Sequence, residues 1–490
     1  MKNYKIAFFL LITLTLFTNC SKDNDDNDAT TNELNDFVYR GMNAFYLYKD
    51  DVPDLADNRF RNDNAYNTFL NNFNSPRNLF DHLIFEEEDR FSWIVDDFVA
   101  LEQAFSGVST SNGMEFQLFR LNDGIFGIIT HILPNTSAAS NGLKRGDVFY
   151  AINNSRLTQS NLNSLLGQDN YDVNLGDYND NGTPEMFDDT ITETSRRVPL
   201  SKTQYTEDPI LINNVLNVNG KQIAYLMYNS FTGTNQFNAD LNTVFGAFKN
   251  ANATELVLDL RYNSGGSVRT AIILSSLITG QFTGDIFSTE AWNSDFQEFF
   301  NNEDPELLIN RFIDNIDGEP LQSLNLSRLY VLTSPRSASA SELVINSLRP
   351  YIDVIQIGTN TSGKFQASTT LYDSDNFRRQ GANPNHGYAM QPLIFKSLNA
   401  AGVTDYFNGL TPDIFLDESI ANLGELGTLN EPLLARAIAD ITGGNIAKFD
   451  IQKTKNIPMF SVANKSIING GMYDDKTENL NLLKKLRIEQ

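Results

Sequence analysis

Residues 333–343 have the sequence Thr-Ser-Pro-Arg-Ser-Ala-Ser-Ala-Ser-Glu-Leu, whose small residues lie between two apolar segments. The apolar run at 329–333 predicts a strand before it, and apolar residues at helical spacing predict a helix over 338–349. Small residues between a strand and a helix allow a sharp turn that exposes a serine hydroxyl beside the free amides of the helix start. Because such amides stabilise a developing oxyanion, the turn is a candidate nucleophile site. A serine-rich helix cap is the alternative interpretation.

Two further motifs follow buried strands. Residues 258–266 read Leu-Asp-Leu-Arg-Tyr-Asn-Ser-Gly-Gly at the end of a predicted strand over 255–260. A Gly-Lys pair at 363–364 comes shortly after a predicted strand over 354–358. Strands and helices alternate across residues 206–445, and this alternation predicts a mixed α/β domain.

Together the three motifs, in this order, resemble the C-terminal processing (tail-specific) peptidases of family S41, over about residues 106–440. The resemblance implies an α+β protein with a mixed α/β peptidase core of the crotonase/ClpP-like kind. It implies that the middle serine, Ser339, is the nucleophile and that Lys364 is the general base. The amide of Ala340 and a glycine amide from Gly265 or Gly266 would form the oxyanion hole, and no cofactor is expected.

A lysine can act as the base only in its neutral form. Its pKa must therefore fall from about 10.4 towards about 7–8, which burial in an apolar pocket can achieve. The only histidines are His82, His131 and His386, and the first two fall outside the predicted core, so a Ser-His-Asp triad has few candidates. Neutral Lys364 would take the proton of Ser339, whose oxygen would attack the scissile carbonyl to give an acyl-enzyme.

The chain departs from the family pattern at two positions. Some members carry an acid near the end of the nucleophile helix, where this chain has Pro350, and some carry a glutamine four residues after the lysine, where it has Ser368. Gln366, Ser368 and Glu342 are the candidates to orient the base, although Glu342 has an equally simple role as a helix cap. These departures keep open an alternative function, a catalytically impaired S41-fold lipoprotein that binds peptides.

Other catalytic motifs do not fit. Residues 358–365 nearly match a phosphate-binding loop, but Phe365 replaces the Ser/Thr that binds magnesium and a strand is predicted next instead of a helix. The His-Glu-x-x-His motif of zinc peptidases and the Gly-x-Ser-x-Gly motif of α/β hydrolases are absent from the sequence.

Residues 106–205 change to short strands separated by turn residues. A short helix and a tight turn over 134–147 make this segment resemble the PDZ domains of bacterial proteases, which bind extended peptide ends by strand addition. A small β-rich domain without that role is the alternative. The candidate peptide-binding residues are Gly113, Met114, Glu115 and Phe116.

A polar insertion within this segment has a second interpretation. Its oxygen-bearing residues alternate around a glycine, as in calcium-binding loops, although a polar hairpin is the favoured alternative. The candidate calcium ligands are Asp177, Asn179, Asn181 and Asp188. A calcium-dependent adhesion protein is the function that such a site would suggest.

The ends of the chain predict its location. Residues 1–19 resemble a signal peptide. Cys20, the only cysteine in the sequence, resembles a lipidation site, and an acidic linker follows it to residue 32. A helical domain is expected over 33–105 and a polar tail over 446–490. We therefore expect an exported protein, lipid-anchored in the cell envelope on the periplasmic or surface face of the outer membrane. Its expected partners are polypeptide substrates, and the net charge of −24 argues against nucleic acid.

Overall fold

The computed structural model describes residues 29–121, 124–183, 188–444 and 471–474. The predicted signal peptide, Cys20 and most of the acidic linker lie outside these ranges, as does the tail apart from its residues 471–474. None of the helices in the described ranges combines the length and apolar character needed to cross a membrane. The α+β organisation predicted from the sequence is confirmed.

The N-terminal segment is helical, and its first helix shows why. Thr30 and Glu33 form a capping box at the helix start, and its apolar face buries Phe37, Met42 and Phe45 completely or nearly so. The last strand of the segment pairs with the core, so the helices are joined to it through a sheet. The elements are α1 (Thr31–Phe45), α2 (Asp63–Leu70), α3 (Pro76–His82), β1 (Trp93–Val95) and α4 (Phe98–Phe105).

A β-rich module follows, built on a sheet with the order β3-β4-β5-β7-β8. Its apolar side chains form a cluster that is separate from that of the core. The elements are β2 (Val108–Ser111), β3 (Met114–Leu121), β4 (Gly124–Ile132), α5 (Ser137–Ser140), β5 (Val148–Ile152), β6 (Ser155–Arg156), α6 (Leu162–Leu166), β7 (Asn170–Asn179), β8 (Thr190–Ser201) and β9 (Thr203–Thr206).

The first half of the α/β core supplies strands of both core sheets and three α-helices. Its elements are β10 (Ile210–Val218), β11 (Lys221–Tyr228), α7 (Asn235–Asn250), β12 (Glu255–Asp259), α8 (Val268–Thr279), β13 (Ile286–Trp292), α9 (Ser294–Glu303), β14 (Ile309–Arg311), β15 (Asn315–Ile316) and β16 (Glu319–Pro320). The second half has β17 (Arg328–Thr333), α10 (Ala340–Leu348), β18 (Asp353–Gly358), β19 (Gln366–Ser368), β20 (Leu371–Tyr372), β21 (Ala389–Gln391), β22 (Leu393–Asn399), β23 (Ile414–Phe415), α11 (Pro432–Thr442) and β24 (Met472–Tyr473).

Two sheets organise this core. The first has the order β10-β11-β12-β17-β18-β23 and is parallel from β11 to β23, with Asp259 in β12 opposite Leu332 in β17. The second has the order β14-β13-β22-β19-β24. Because neighbouring parallel strands end at the same edge, the turn after β12 and the serine-rich turn after β17 lie side by side.

A buried ionic network connects the β-rich module to the core. Arg261, fully buried, donates to Asp259 and to Glu431, whose carboxylates compensate its charge. Arg145 of the β-rich module donates 2.6 Å hydrogen bonds to Glu418 and to the hydroxyl of Tyr262. Tyr262 immediately precedes residues 263–266, so the module contacts the core directly beside the glycine turn.

Candidate active site

The three serines of the motif have different environments. The hydroxyl of Ser337 donates to Leu260 O and that of Ser341 to Asn263 O, so both side chains tie the turn to the end of β12. Ser339 is fully buried, and its Oγ has no hydrogen-bond partner among the described residues. Its φ of 65° is strained for a residue with a side chain. A buried hydroxyl without a partner, on strained backbone, is typical of a functional group.

Lys364 is equally buried, with 1% of its surface exposed. Its Nζ has no hydrogen-bond partner among the described residues and lies 4.9 Å from the centre of the Phe91 ring. Burial lowers the pKa of Lys364 to about 8, against the opposing effect of the Asp89 and Glu342 carboxylates. A substantial fraction of this amine is therefore neutral near physiological pH.

Glu342 connects the nucleophile turn to the lysine loop. Its Oε2 accepts 2.8 Å hydrogen bonds from the backbone amides of both Ser339 and Lys364. Its Oε1 accepts from the Thr361 hydroxyl at 2.5 Å and the Gly363 amide at 2.7 Å. Burial raises the pKa of Glu342, and these hydrogen bonds oppose the rise. The amides of Ser339 and Lys364 thus meet at one oxygen atom, which brings the two residues together.

The predicted oxyanion donors differ from one another in the structure. The Gly265 amide donates to Asn263 Oδ1 at 2.8 Å, so it is already used within its own turn. Among the described residues, the amides of Ala340 and Gly266 have no such acceptor. Gly265 approaches Ser339 closely, because a Cβ at this position would lie 2.6 Å from Ser339 Cβ. Of the predicted oxyanion donors, the amides of Ala340 and Gly266 are therefore the ones that remain free among the described residues.

None of the three residues predicted to orient the base contacts the lysine amine by a hydrogen bond. Gln366 Nε2 donates to the Tyr48 hydroxyl at 2.8 Å, and Ser368 Oγ donates to Gln391 Oε1 at 2.8 Å. Glu342 bonds the Lys364 backbone instead of its side chain. Direct contact with the amine is therefore not observed: the Gln366 amide and the Ser368 hydroxyl donate elsewhere, and Gln366 Oε1 has no hydrogen-bond partner among the described residues.

The N-terminal segment contributes to the site, which the sequence analysis missed because it predicted only a helical domain over 33–105. Besides the Phe91 ring over the amine, the Arg90 guanidinium donates to Gly363 O at 3.2 Å. Asp89 Oδ1 accepts from the Phe91 and Ser92 amides, and this fixes the direction of the ring. The Asp-Arg-Phe run had no family motif to mark it, and only the long-range contact reveals its role.

A cavity of about 680 Å³ opens over the glycine turn, between α4, the β-rich module and the core. Arg336, Glu115 and Glu207 line it, together with His131 and Tyr473. Burial lowers the pKa of His131 to about 3, and burial raises the pKa of Glu207 to about 8, an effect to which the neighbouring Glu115 adds. At neutral pH the side chains of His131 and Glu207 are therefore largely uncharged.

The residues predicted to bind a peptide end lie at the start of β3, near this cavity. The amides of Gly113 and Met114 donate to Ser111 Oγ and Asn112 Oδ1, so they are engaged within their own loop. Glu115 pairs with His131 in β4, and Phe116 packs against the module's apolar cluster.

The predicted calcium residues lie where a hairpin joins β7 to β8. Asn179 and Asn181 bond to each other, Asn181 also donates to Asp188 O, and the Asp188 carboxylate accepts from Thr183. Asp177 is part of β7 itself. In the described ranges, no group of three or more His, Cys, Asp or Glu side chains is arranged to hold a metal ion.

Family models match two parts of the chain. The model described as peptidase family S41 matches residues 222–415, and the peptidase S41 N-terminal domain matches residues 33–93, together more than half of the 490 residues. The chain belongs to peptidase family S41. No curated protein sequence matches it.

One solved structure shares the fold of this chain. A crystal structure from Bacteroides fragilis NCTC 9343, assigned to the S41 proteases, is 22% identical with a TM-score of 0.64 and covers 83% of this chain and 97% of its own. A photosystem II D1 C-terminal processing protease is 18% identical with a TM-score of 0.44, covering 79% and 93%. The first likeness confirms the predicted fold, including the S41 core; the second, at that score, supports no conclusion.

Replacing Glu342 by glutamine tests its role as the connection between the two loops. The amide can accept at only one of the two oxygen positions, so buried donors lose their partner, and we expect a loss of about 2–4 kcal/mol in the free energy of unfolding. Urea denaturation measures this loss. Glu306→Gln is the matched control, because Glu306 is 64% exposed and paired only with exposed Arg311. Equal stability of Glu342→Gln and this control would contradict the role.

Proposed function

We propose that this S41 protein is a serine endopeptidase that hydrolyses extended or unfolded polypeptides with a Ser339–Lys364 dyad. The observation that carries the proposal is the shared carboxylate oxygen. Glu342 Oε2 accepts from the amides of both residues, whose buried side chains end in an unpartnered hydroxyl and an unpartnered amine. Ser339 Oγ and Lys364 Nζ do not hydrogen-bond to each other, and neither has another partner among the described residues, so each is free to approach the other during catalysis.

The chemistry follows from these groups. The neutral Lys364 amine takes the Ser339 proton while Oγ bonds to the scissile carbonyl carbon, and the resulting oxyanion accepts from the amides of Ala340 and Gly266. The protonated amine then returns its proton to the leaving peptide nitrogen as the carbon–nitrogen bond breaks, which leaves an acyl-enzyme. Water, deprotonated by the same amine, attacks the ester and releases Ser339.

Substrate recognition by the β-rich module and membrane anchoring belong to the same proposal. β3 is an edge strand of its sheet, so an extended peptide can add to it as it does in PDZ domains. The engaged amides of Gly113 and Met114 favour recognition along this edge over capture of a terminal carboxylate. The sequence at Cys20 supports export and lipid anchoring in the cell envelope.

Substitution of the serines separates catalysis from structure. Ser339→Ala and Lys364→Ala should each lower kcat on a denatured protein at least about a thousandfold. Ser337→Ala and Ser341→Ala are matched controls from the same motif, and should lose only about 1–3 kcal/mol of stability through their hydrogen bonds. Mass-spectrometric mapping of cleavage sites provides the readout. A folded wild-type chain that cleaves no unfolded protein would favour the alternative function, a catalytically impaired peptide-binding protein.

The pH dependence tests the base. Because only the neutral amine accepts a proton, kcat/KM should fall as the pH drops through about 8, the pKa of Lys364. Asp89 and Glu342 are the carboxylates that raise this pKa, and Arg90 is the neighbouring guanidinium. Asp89→Asn removes one stabilising charge, so the acid limb should move down by about one pH unit.

A neighbouring carboxylate supplies the control for this shift. Glu88 lies beside Asp89 in the sequence but pairs with Lys396, at 3.6 Å, and contributes nothing to the shift of Lys364. Glu88→Gln should therefore leave the profile unchanged. An acid limb that stays in place in Asp89→Asn, or that moves equally in both variants, would argue against Lys364 as the base.

A further inference from the structure

Residues 471–474 run as a strand through the candidate active site. The Tyr473 amide donates to Gly266 O at 3.1 Å, on the side of the glycine turn. On the other side, the Asp474 amide donates to Ser368 O at 2.9 Å, and β24 pairs in parallel with β19. The segment thus lies between the oxyanion glycines and the strand that follows the lysine.

The segment lies against the Lys364 amine and lines the cavity. A Cβ on Gly471 would lie 2.7 Å from Lys364 Nζ, so only a residue without a side chain fits there while the amine keeps its position. The Tyr473 ring packs on Phe105 with 4.4 Å between centroids, and its hydroxyl accepts from the Gly233 amide at 3.2 Å. Gly471 and Tyr473 both line the cavity over the glycine turn.

We infer that residues 471–474 occupy the site in which the peptidase binds the backbone of its substrate, so that this segment is a pseudosubstrate built into the chain. The inference rests on the proposed function. Strand addition through backbone groups is how proteins bind extended peptides without regard to most of their sequence. A strand with a purely structural role has no need to place a glycine against the buried lysine amine.

The same contacts define a substrate class. Backbone hydrogen bonds to Gly266 and Ser368 can form with any extended chain. Two positions, in contrast, restrict which residue fits. The position against Lys364 takes glycine, and the position two residues further along takes an aromatic residue between Phe105 and Gly233. The preferred ligand is therefore an unfolded segment with the pattern Gly-x-aromatic, which the chain itself carries at Gly471 and Tyr473.

Competition between residues 471–474 and an added peptide for the same site has a measurable consequence. A site that is open only part of the time binds an added ligand more weakly, by the fraction of time it is open. The test uses the full chain with Ser339→Ala, which prevents cleavage. The probe is a fluorescein-labelled peptide of residues 467–476, and fluorescence anisotropy titrations measure its affinity. Adding Tyr473→Ala to this chain should make the probe bind at least about tenfold tighter. Gly471→Val, which forces a side chain towards the amine, should act in the same direction.

Two controls make the result specific. Phe415→Ala removes a 66% exposed aromatic residue of β23, which belongs to the core sheet that does not contain β24, and should leave probe affinity unchanged. A probe with alanine in place of its tyrosine should bind more weakly to every chain. Equal affinity of Tyr473→Ala, Gly471→Val and the control chain overturns the inference, as does the absence of probe binding to all of them.

The active chain then separates the two proposals. With Ser339 restored, Tyr473→Ala should raise kcat/KM on a denatured protein, and the probe should inhibit competitively. If the probe binds as expected but no chain cleaves, the proposed function fails while the peptide site stands. If the chain cleaves and neither substitution changes probe affinity or rate, the function stands and the pseudosubstrate is refuted.

Discussion

The carboxylate of Glu342 is the constraint on which the site depends. It belongs to α10, yet its two oxygens accept from the start of that helix and from the loop that carries the lysine. A single buried acceptor therefore holds together two segments that come from the ends of neighbouring parallel strands. Without it, the start of α10 and the 361–364 loop would each have free amides in a water-poor interior, and nothing would fix the amine relative to the hydroxyl.

Around this connection the protein keeps two polar groups without partners. Ser339 Oγ and Lys364 Nζ are buried and unpartnered, and both would be more stable in water or in a hydrogen bond. The surroundings keep both groups from water and from other polar groups, because the Phe91 ring covers the amine and Gly265 packs against the serine. Desolvation is also what lowers the pKa of Lys364. The features that destabilise the site locally are those that make a lysine usable as a base.

How far the sequence could predict this site depended on where each contact lies along the chain. The nucleophile turn, the glycine turn and the lysine are local motifs at strand ends, so periodicity and family resemblance could identify them. The interactions of Glu342 with Gly363 and of Ser368 with Gln391 cross strand boundaries, where spacing carries no information. Asp89 and Phe91 come from a segment whose only visible signal was apolar helical spacing. β24 lies in a polar tail, and its pairing with β19 depends on backbone groups that every residue shares.

The central claim is that burial lowers the pKa of the Lys364 amine to about 8, so that part of its population is neutral at physiological pH, in the same buried site as a hydroxyl that has no hydrogen-bond partner among the described residues. An NMR titration of the full chain with ¹³C-labelled lysine side chains measures this directly, with Lys364→Arg to assign the signal. The account predicts one lysine that titrates at about 8 and disappears in Lys364→Arg, while exposed lysines titrate near 10.4. A Lys364 signal that titrates with the exposed lysines would contradict it.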